Sequence, residues 1–187
     1  MKTTFLYGLG MAIAGAVLNL GLFFGGYHDS VDKLTTSQII GGVGGGIITI
    51  VGLILAIRAR RAETPADEAF GYGRALGAGT LTSLWGALFG NVFNVLYMTV
   101  INPNMQEIVV ESQMAAMEAQ GAGADQMEAA EGMIRMMTNP ALQFVFGLIG
   151  AFLFSFVISL IIAAFIRREA TEDFADDGMG APPPLGS

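Results

Sequence analysis

The sequence predicts an all-α membrane protein: four transmembrane helices with an extracytoplasmic helical hairpin between the third and the fourth. Three observations carry that expectation. Residues 3–27, 39–57, 75–101 and 141–166 are apolar runs without Asp, Glu, Lys, Arg or His, each near the length of about 20 residues that crosses a bilayer. Charged residues make up 13% of the 187, half the roughly 25% of soluble domains. The stretch 104–138 between the last two runs is too long for an idle connection and is patterned as two helices.

The first run, Thr3–Tyr27, follows Lys2 and contains Ala12-Ile13-Ala14, the small-x-small form of a signal cleavage site. Its apolar character continues about a dozen residues past Ala14, where a signal peptide would turn polar, so the segment is expected to stay as a span. The second run, Ile39–Ile57, holds Gly41-Gly42 and Gly44-Gly45-Gly46. These glycines make no phosphate loop, because they lack a Lys and lie inside an apolar span. Arg58, Arg60 and Arg61 close it as topology anchors. The third run, Ala75–Ile101, ends at Asn102-Pro103 and carries Trp85 too deep for an interfacial belt, so that ring is expected to pack on another helix. The fourth, Ala141–Ile166, opens at Asn139-Pro140, where Pro suits the first turn of a helix.

Basic residues set the orientation. Lys2, Arg58, Arg60, Arg61, Arg74, Arg167 and Arg168 fall on one side, and only Lys33 and Arg135 on the other. Both termini and the loop 58–74 are therefore expected on the cytoplasmic side. Residues 1–168 form the membrane domain on this division, and 169–187 form a disordered, acidic cytoplasmic tail containing Pro and Gly.

Gln120-Gly121-Ala122-Gly123 is the expected turn of the hairpin. Beyond it, Glu128, Glu131 and Arg135 share one side of a helix and Met127, Ala130, Met133, Ile134 and Met137 the other, an amphipathic pattern. Met133, Ile134 and Met137 are accordingly expected to be shielded, and Glu128 and Glu131 solvated. Seven of the eleven Met lie in this hairpin. Soft thioethers suit Cu(I), but without Cys or a nearby His the pattern points to adaptable packing instead.

Composition excludes several functions. With no Cys there is no disulfide, thiolate metal site or thiol nucleophile, and the single His28 cannot supply a multi-His site. His28 itself is expected at the membrane interface. A net charge of −7 argues against nucleic acid. No carboxylate, His and nucleophile come within plausible reach of one another, so no enzymatic activity, cofactor or metal site is expected.

Small residues line up along the spans. Gly8, Ala12, Gly15, Asn19 and Gly26 share a face of the first; Gly79, Ser83, Gly86, Gly90 and Asn94 share one of the third. Such faces bring membrane helices close together. Asn19, Asn91 and Asn94 lie at comparable depth, and a bare amide in hydrocarbon is costly. The candidate site is therefore a tight polar contact in which Asn19 meets Asn91 or Asn94, with Gly15, Gly86 and Gly90 permitting the approach.

The four spans, Phe70-Gly71-Tyr72-Gly73-Arg74-Ala75 entering the third, Asn139-Pro140 opening the fourth and the closing Arg167-Arg168 resemble the bacterial domain of unknown function family 4199 over about residues 1–168. The Met- and Ala-rich hairpin departs from that pattern. The resemblance implies a bacterial membrane protein without an assigned activity and carries over no functional residue.

The expected function is that of a non-enzymatic accessory or scaffold subunit in the lipid bilayer, binding another membrane protein or a second copy of itself. The alternative is a small oligomeric transporter or channel for an uncharged or small solute. Charge-free spans weigh against the alternative, since intramembrane ionisable groups mark ion and proton paths.

Overall fold

The computed structural model describes residues 1–168. The expected tail, 169–187, lies outside them. Six α-helices follow in order: α1 (Lys2–Phe24), α2 (Val31–Ala62), α3 (Tyr72–Leu96), α4 (Met105–Ala119), α5 (Ala124–Met137) and α6 (Pro140–Ile166). There is no strand among the described residues, only an isolated bridge between Phe70 and Arg168. Four of these helices are long and apolar enough to cross a membrane, the third with its continuation to Ile101.

Each boundary has a local cause. α1 stops because Gly26 takes φ +74°, a left-handed conformation that glycine adopts without Cβ strain. The amides of Gly26 and Tyr27 then donate to the carbonyls of Phe23 and Leu22, each at 2.9 Å, which is the Schellman closure. α4 ends the same way at Gly121, φ +78°, with Gly121 and Ala122 donating to Glu118 and Met117. α6 begins where Asn139 Oδ1 accepts from the Ala141 amide at 3.0 Å and Pro140 occupies the first turn.

α2 differs from the apolar run that marks it. It starts at Val31 rather than near 39 and runs for 32 residues, about 48 Å at 1.5 Å per residue. The hydrocarbon core is only about 30 Å thick, so both ends project. The polar turns Val31–Gln38 are helical but would not sit in lipid, which is why an apolar count misses them.

α3 packs most extensively on α6 and α1, while α2 packs on α1 and α3. The apolar core lies at the end bearing Met1 and Arg168. There Leu53 and Ile57 of α2, Phe70 before α3, Ala75 and Ala78 of α3, and Ile162, Ala163 and Ile166 of α6 form one buried cluster. Outward-facing Val17, Ile47, Phe146, Leu153 and Phe165 are exposed, as side chains meeting lipid should be. At the opposite end, α4 packs on α2 and α5, and α5 also touches α6.

Candidate functional site

α1 meets α3 closely where the first third of α1 crosses the middle of α3. A Cβ placed on Gly8 would lie 2.9 Å from both the Gly86 amide nitrogen and the Thr82 carbonyl oxygen, so only glycine admits this backbone approach. Phe5 meets the edge of Trp85 beside it, ring centroids 5.3 Å apart, and Trp85 stacks on Phe89; the deep tryptophan packs between helices. α3 and α6 close similarly. A Cβ on Gly79 would lie 2.8 Å from Ser159 Cβ, and the Ser83 and Ser159 hydroxyls share a hydrogen bond of 3.3 Å. These contacts form a floor.

Above the floor the four long helices line a half-open chamber of about 260 Å³. Gly15, Gly45, Gly90 and Ala151, one from each helix's facing side, keep its walls thin. Its polar groups are Asn19 of α1, Thr49 of α2, Asn94 of α3 and Ser155 of α6. Thr49 donates to the Gly45 carbonyl of its own helix at 2.9 Å. Asn94 donates to Gln143 Oε1 of α6 at 3.3 Å, a cross-helix bond roofing one side. Asn19 Oδ1 is buried without a partner among the described residues.

The expected asparagine contact takes a different form here. Asn19 and Asn94 line the same chamber, together with Gly15, Gly86 and Gly90. Asn91 turns away from it: its amide donates to the Ala87 carbonyl at 2.8 Å and its oxygen faces Gly147 of α6. The two lie about 60° apart on α3 and both reach α6, Asn91 at Gly147 and Asn94 at Gln143, but only Asn94 also lines the chamber. Among the described residues no hydrogen bond joins Asn19 to either. The glycines divide too. Gly86 touches Gly8 at ordinary distance, 3.6 Å, while a Cβ on Gly15 or Gly90 would meet nothing within 4 Å. The small faces touch at one level and part at the next.

A buried network closes the hairpin end. His28, in the loop after α1, is only 3% exposed, packed inside the protein at the end of the spans. Its Nδ1 meets the Tyr97 hydroxyl, and its Nε2 lies 2.6 Å from Ser37 Oγ of α2. Asn102 donates to the Tyr97 oxygen at 3.2 Å. The proton order follows. The order that uses every proton has the Tyr97 hydroxyl, accepting from Asn102, donate to Nδ1 while Nε2–H donates to Ser37. Tyr97 begins a single π-helical turn, Tyr97–Ile101, closed by the Asn102 amide donating to the Tyr97 carbonyl at 2.7 Å. Such turns concentrate at functional sites. Sequence patterning singles out neither Ser37, Tyr97 nor Asn102; their shared level at the end of three spans is the available signal.

The opposite end carries ion pairs. Glu63 accepts from Thr3 and Arg60, and the Thr3 hydroxyl, then Arg60, holds its carboxyl below the ordinary range. Arg74 pairs with Glu68 at 2.6 Å. Arg168 donates to the carbonyls of Thr64, Pro65 and Glu68, tying the end of α6 to the loop between α2 and α3.

On the hairpin, Arg135 grips Glu107 bidentately at 2.8 and 2.9 Å and Glu131 at 2.9 Å. Its guanidinium holds the Glu107 carboxyl low. The methionines correct the sequence expectation: Met133 and Met137 are 61% and 57% exposed, and only Ile134 is half-buried. α5 half-buries a narrow stripe, Met127, Ala130 and Ile134, because α4 is its main neighbour and one helix covers only part of so broad an apolar face.

The family model described as Protein of unknown function (DUF4199) matches residues 6–168. The chain belongs to this family. Its match spans all four long helices and the hairpin, so the family unit includes both the chamber and the His28 network. No match was found among curated proteins or solved structures. The family and the four apolar helices together make the chain a multi-pass membrane protein of helical-bundle architecture.

Proposed function

We propose that this family member is a non-enzymatic accessory or scaffold subunit of a bacterial inner membrane, with both termini in the cytoplasm and the α4–α5 hairpin outside. Its partner is another membrane protein or a second copy of the chain. One observation carries the proposal: α5 is amphipathic, yet Met133, Met136 and Met137 stand more than half exposed at the end of the bundle. Flexible thioether side chains suit a surface that adapts to a partner. The basic asymmetry of the loops supports the orientation.

The second reading, a small oligomeric transporter or channel for an uncharged solute, draws support from the chamber and its uncharged polar lining. Co-purification in mild detergent with mass spectrometry, before and after crosslinking, separates the two. A stoichiometric second protein lost on Met133→Asp supports the subunit reading. A bare homo-oligomer that passes solutes in liposomes supports the transporter. A monomer without partner or flux sinks both.

A further inference from the structure

We propose that the chamber between α1, α2, α3 and α6 binds a small uncharged guest carrying both hydrogen-bond donor and acceptor groups. The argument begins with unused polar capacity. Ser155 is 7% exposed and lines the chamber, yet its hydroxyl has no hydrogen-bond partner among the described residues; the contact nearest it in sequence is Ser159 donating to its backbone carbonyl at 2.8 Å. Asn94, which also lines the chamber, directs its amino group to Gln143 of α6. The Asn19 side-chain oxygen, Oδ1, is buried without a hydrogen-bond partner among the described residues. Asn19 Oδ1 is thus a buried acceptor left unpaired, and with Ser155 and Asn94 lining the same space it selects a guest that pairs with it.

Their chemistry defines the guest. An amide offers donors and an acceptor, and a hydroxyl offers both, so the set recognises a molecule that gives and receives hydrogen bonds. No Asp, Glu, Lys, Arg or His lines the chamber, and an unpaired ion at that depth would go uncompensated. The guest is therefore neutral. The volume, about 260 Å³, matches several waters at about 30 Å³ each or one small polyol or amide. Water and a small solute share this chemistry, and the experiment tells them apart. The inference concerns the chamber alone and stands independently of either reading of the whole protein.

The absence of native Cys permits a direct test on the full chain in nanodiscs. Ala151→Cys places a thiol on the chamber wall without removing a polar group, and Val17→Cys places one on the lipid face, where Val17 is 64% exposed. Only a thiolate reacts with a small neutral thiosulfonate, and a thiol ionises where polar guests solvate it. Ala151→Cys is expected to react at least ten-fold faster than Val17→Cys. Adding Asn19→Leu should bring it down toward the lipid-face rate, with helicity unchanged by circular dichroism. Glycerol and urea then identify the guest. If either slows Ala151→Cys at least three-fold while leaving Gly123→Cys on the hairpin turn unaffected, the guest is a small solute; with no slowing it is water. Equal rates for Ala151→Cys and Val17→Cys overturn the proposal, whatever Asn19→Leu does to folding.

Discussion

His28 Nε2 lies 2.6 Å from Ser37 Oγ, a bond that ties the loop after the first span to the projecting turns of α2. The same imidazole receives the Tyr97 hydroxyl on its other nitrogen, so one ring joins the ends of α1, α2 and α3. His28→Leu would leave the buried Ser37 hydroxyl without its partner and the Tyr97 hydroxyl with Asn102 alone, at a cost of about 1–3 kcal/mol. A lower thermal midpoint in detergent, with helicity retained at low temperature, is the expected result.

The same ring predicts a pH dependence. Burial pushes the His28 pKa below its ordinary 6.5, partly opposed by Asp29. Protonation at Nδ1 would also strand the Tyr97 hydroxyl proton. The folded state therefore resists a proton that the unfolded chain accepts, and stability rises with pH wherever the unfolded state binds more protons. The His28 contribution is complete above about pH 7 and is lost as pH falls through the unfolded value near 6.5 toward the lower folded one. Midpoints measured across the mildly alkaline to mildly acidic range should fall on acidification in the native chain and fall less in His28→Gln. Parallel profiles would remove His28 as the cause.

Close packing at Gly8 gives a contrast within one helix. Gly8→Val drives side-chain carbons into the Thr82 carbonyl and the Gly86 amide, whereas Gly10 has nothing within 4 Å of a Cβ. Overpacking of this kind costs about 1–3 kcal/mol. Gly8→Val is expected to lower resistance to unfolding by SDS, and Gly10→Ala to leave it nearly unchanged.

The spans are legible in the sequence because a charge-free run of bilayer length has no ready place in a soluble fold. The hairpin is legible because two Asn-Pro pairs bracket an amphipathic stretch. From the stripes of small residues on α1 and α3, Gly8 and Gly86 meet where those helices pack. The stripes do not distinguish contact from cavity, since Gly8 and Gly15 read alike until the crossing of the helices separates them. Asn91 defeats the depth argument for a related reason: equal depth says nothing about azimuth, and its side chain points at Gly147. The His28 network is hidden from apolar counting because Ser37 lies in polar turns of α2 that precede the apolar run.

Azimuth can be checked by disulfide trapping. Asn91 faces Gly147 across the α3–α6 contact, so Asn91→Cys with Gly147→Cys is expected to crosslink within the chain under mild oxidation. Asn19→Cys with Asn91→Cys should not, because Asn91 does not line the chamber where Asn19 sits. The reverse pattern would rotate α3 relative to this arrangement.

The hairpin supplies the last contrast, between two apolar residues with opposite exposure. Val110 on α4 is 3% exposed, whereas Met133 on α5 is 61% exposed. α4 is the helix that docks the hairpin on α2. A carboxylate at Val110 would be buried without a partner, a penalty that real proteins avoid by neutralising the group or opening the site. Val110→Asp is therefore expected to detach the hairpin, read as faster amide hydrogen exchange throughout α4 and α5 while the spans stay protected. Met133→Asp only exchanges one exposed side chain for another, and surface changes of that kind stay within about 0.5 kcal/mol. Its exchange pattern should match the native chain in isolation. If Met133→Asp exposes the hairpin as much as Val110→Asp does, then α5 is covered in the isolated chain and its methionine face is not free to meet a partner.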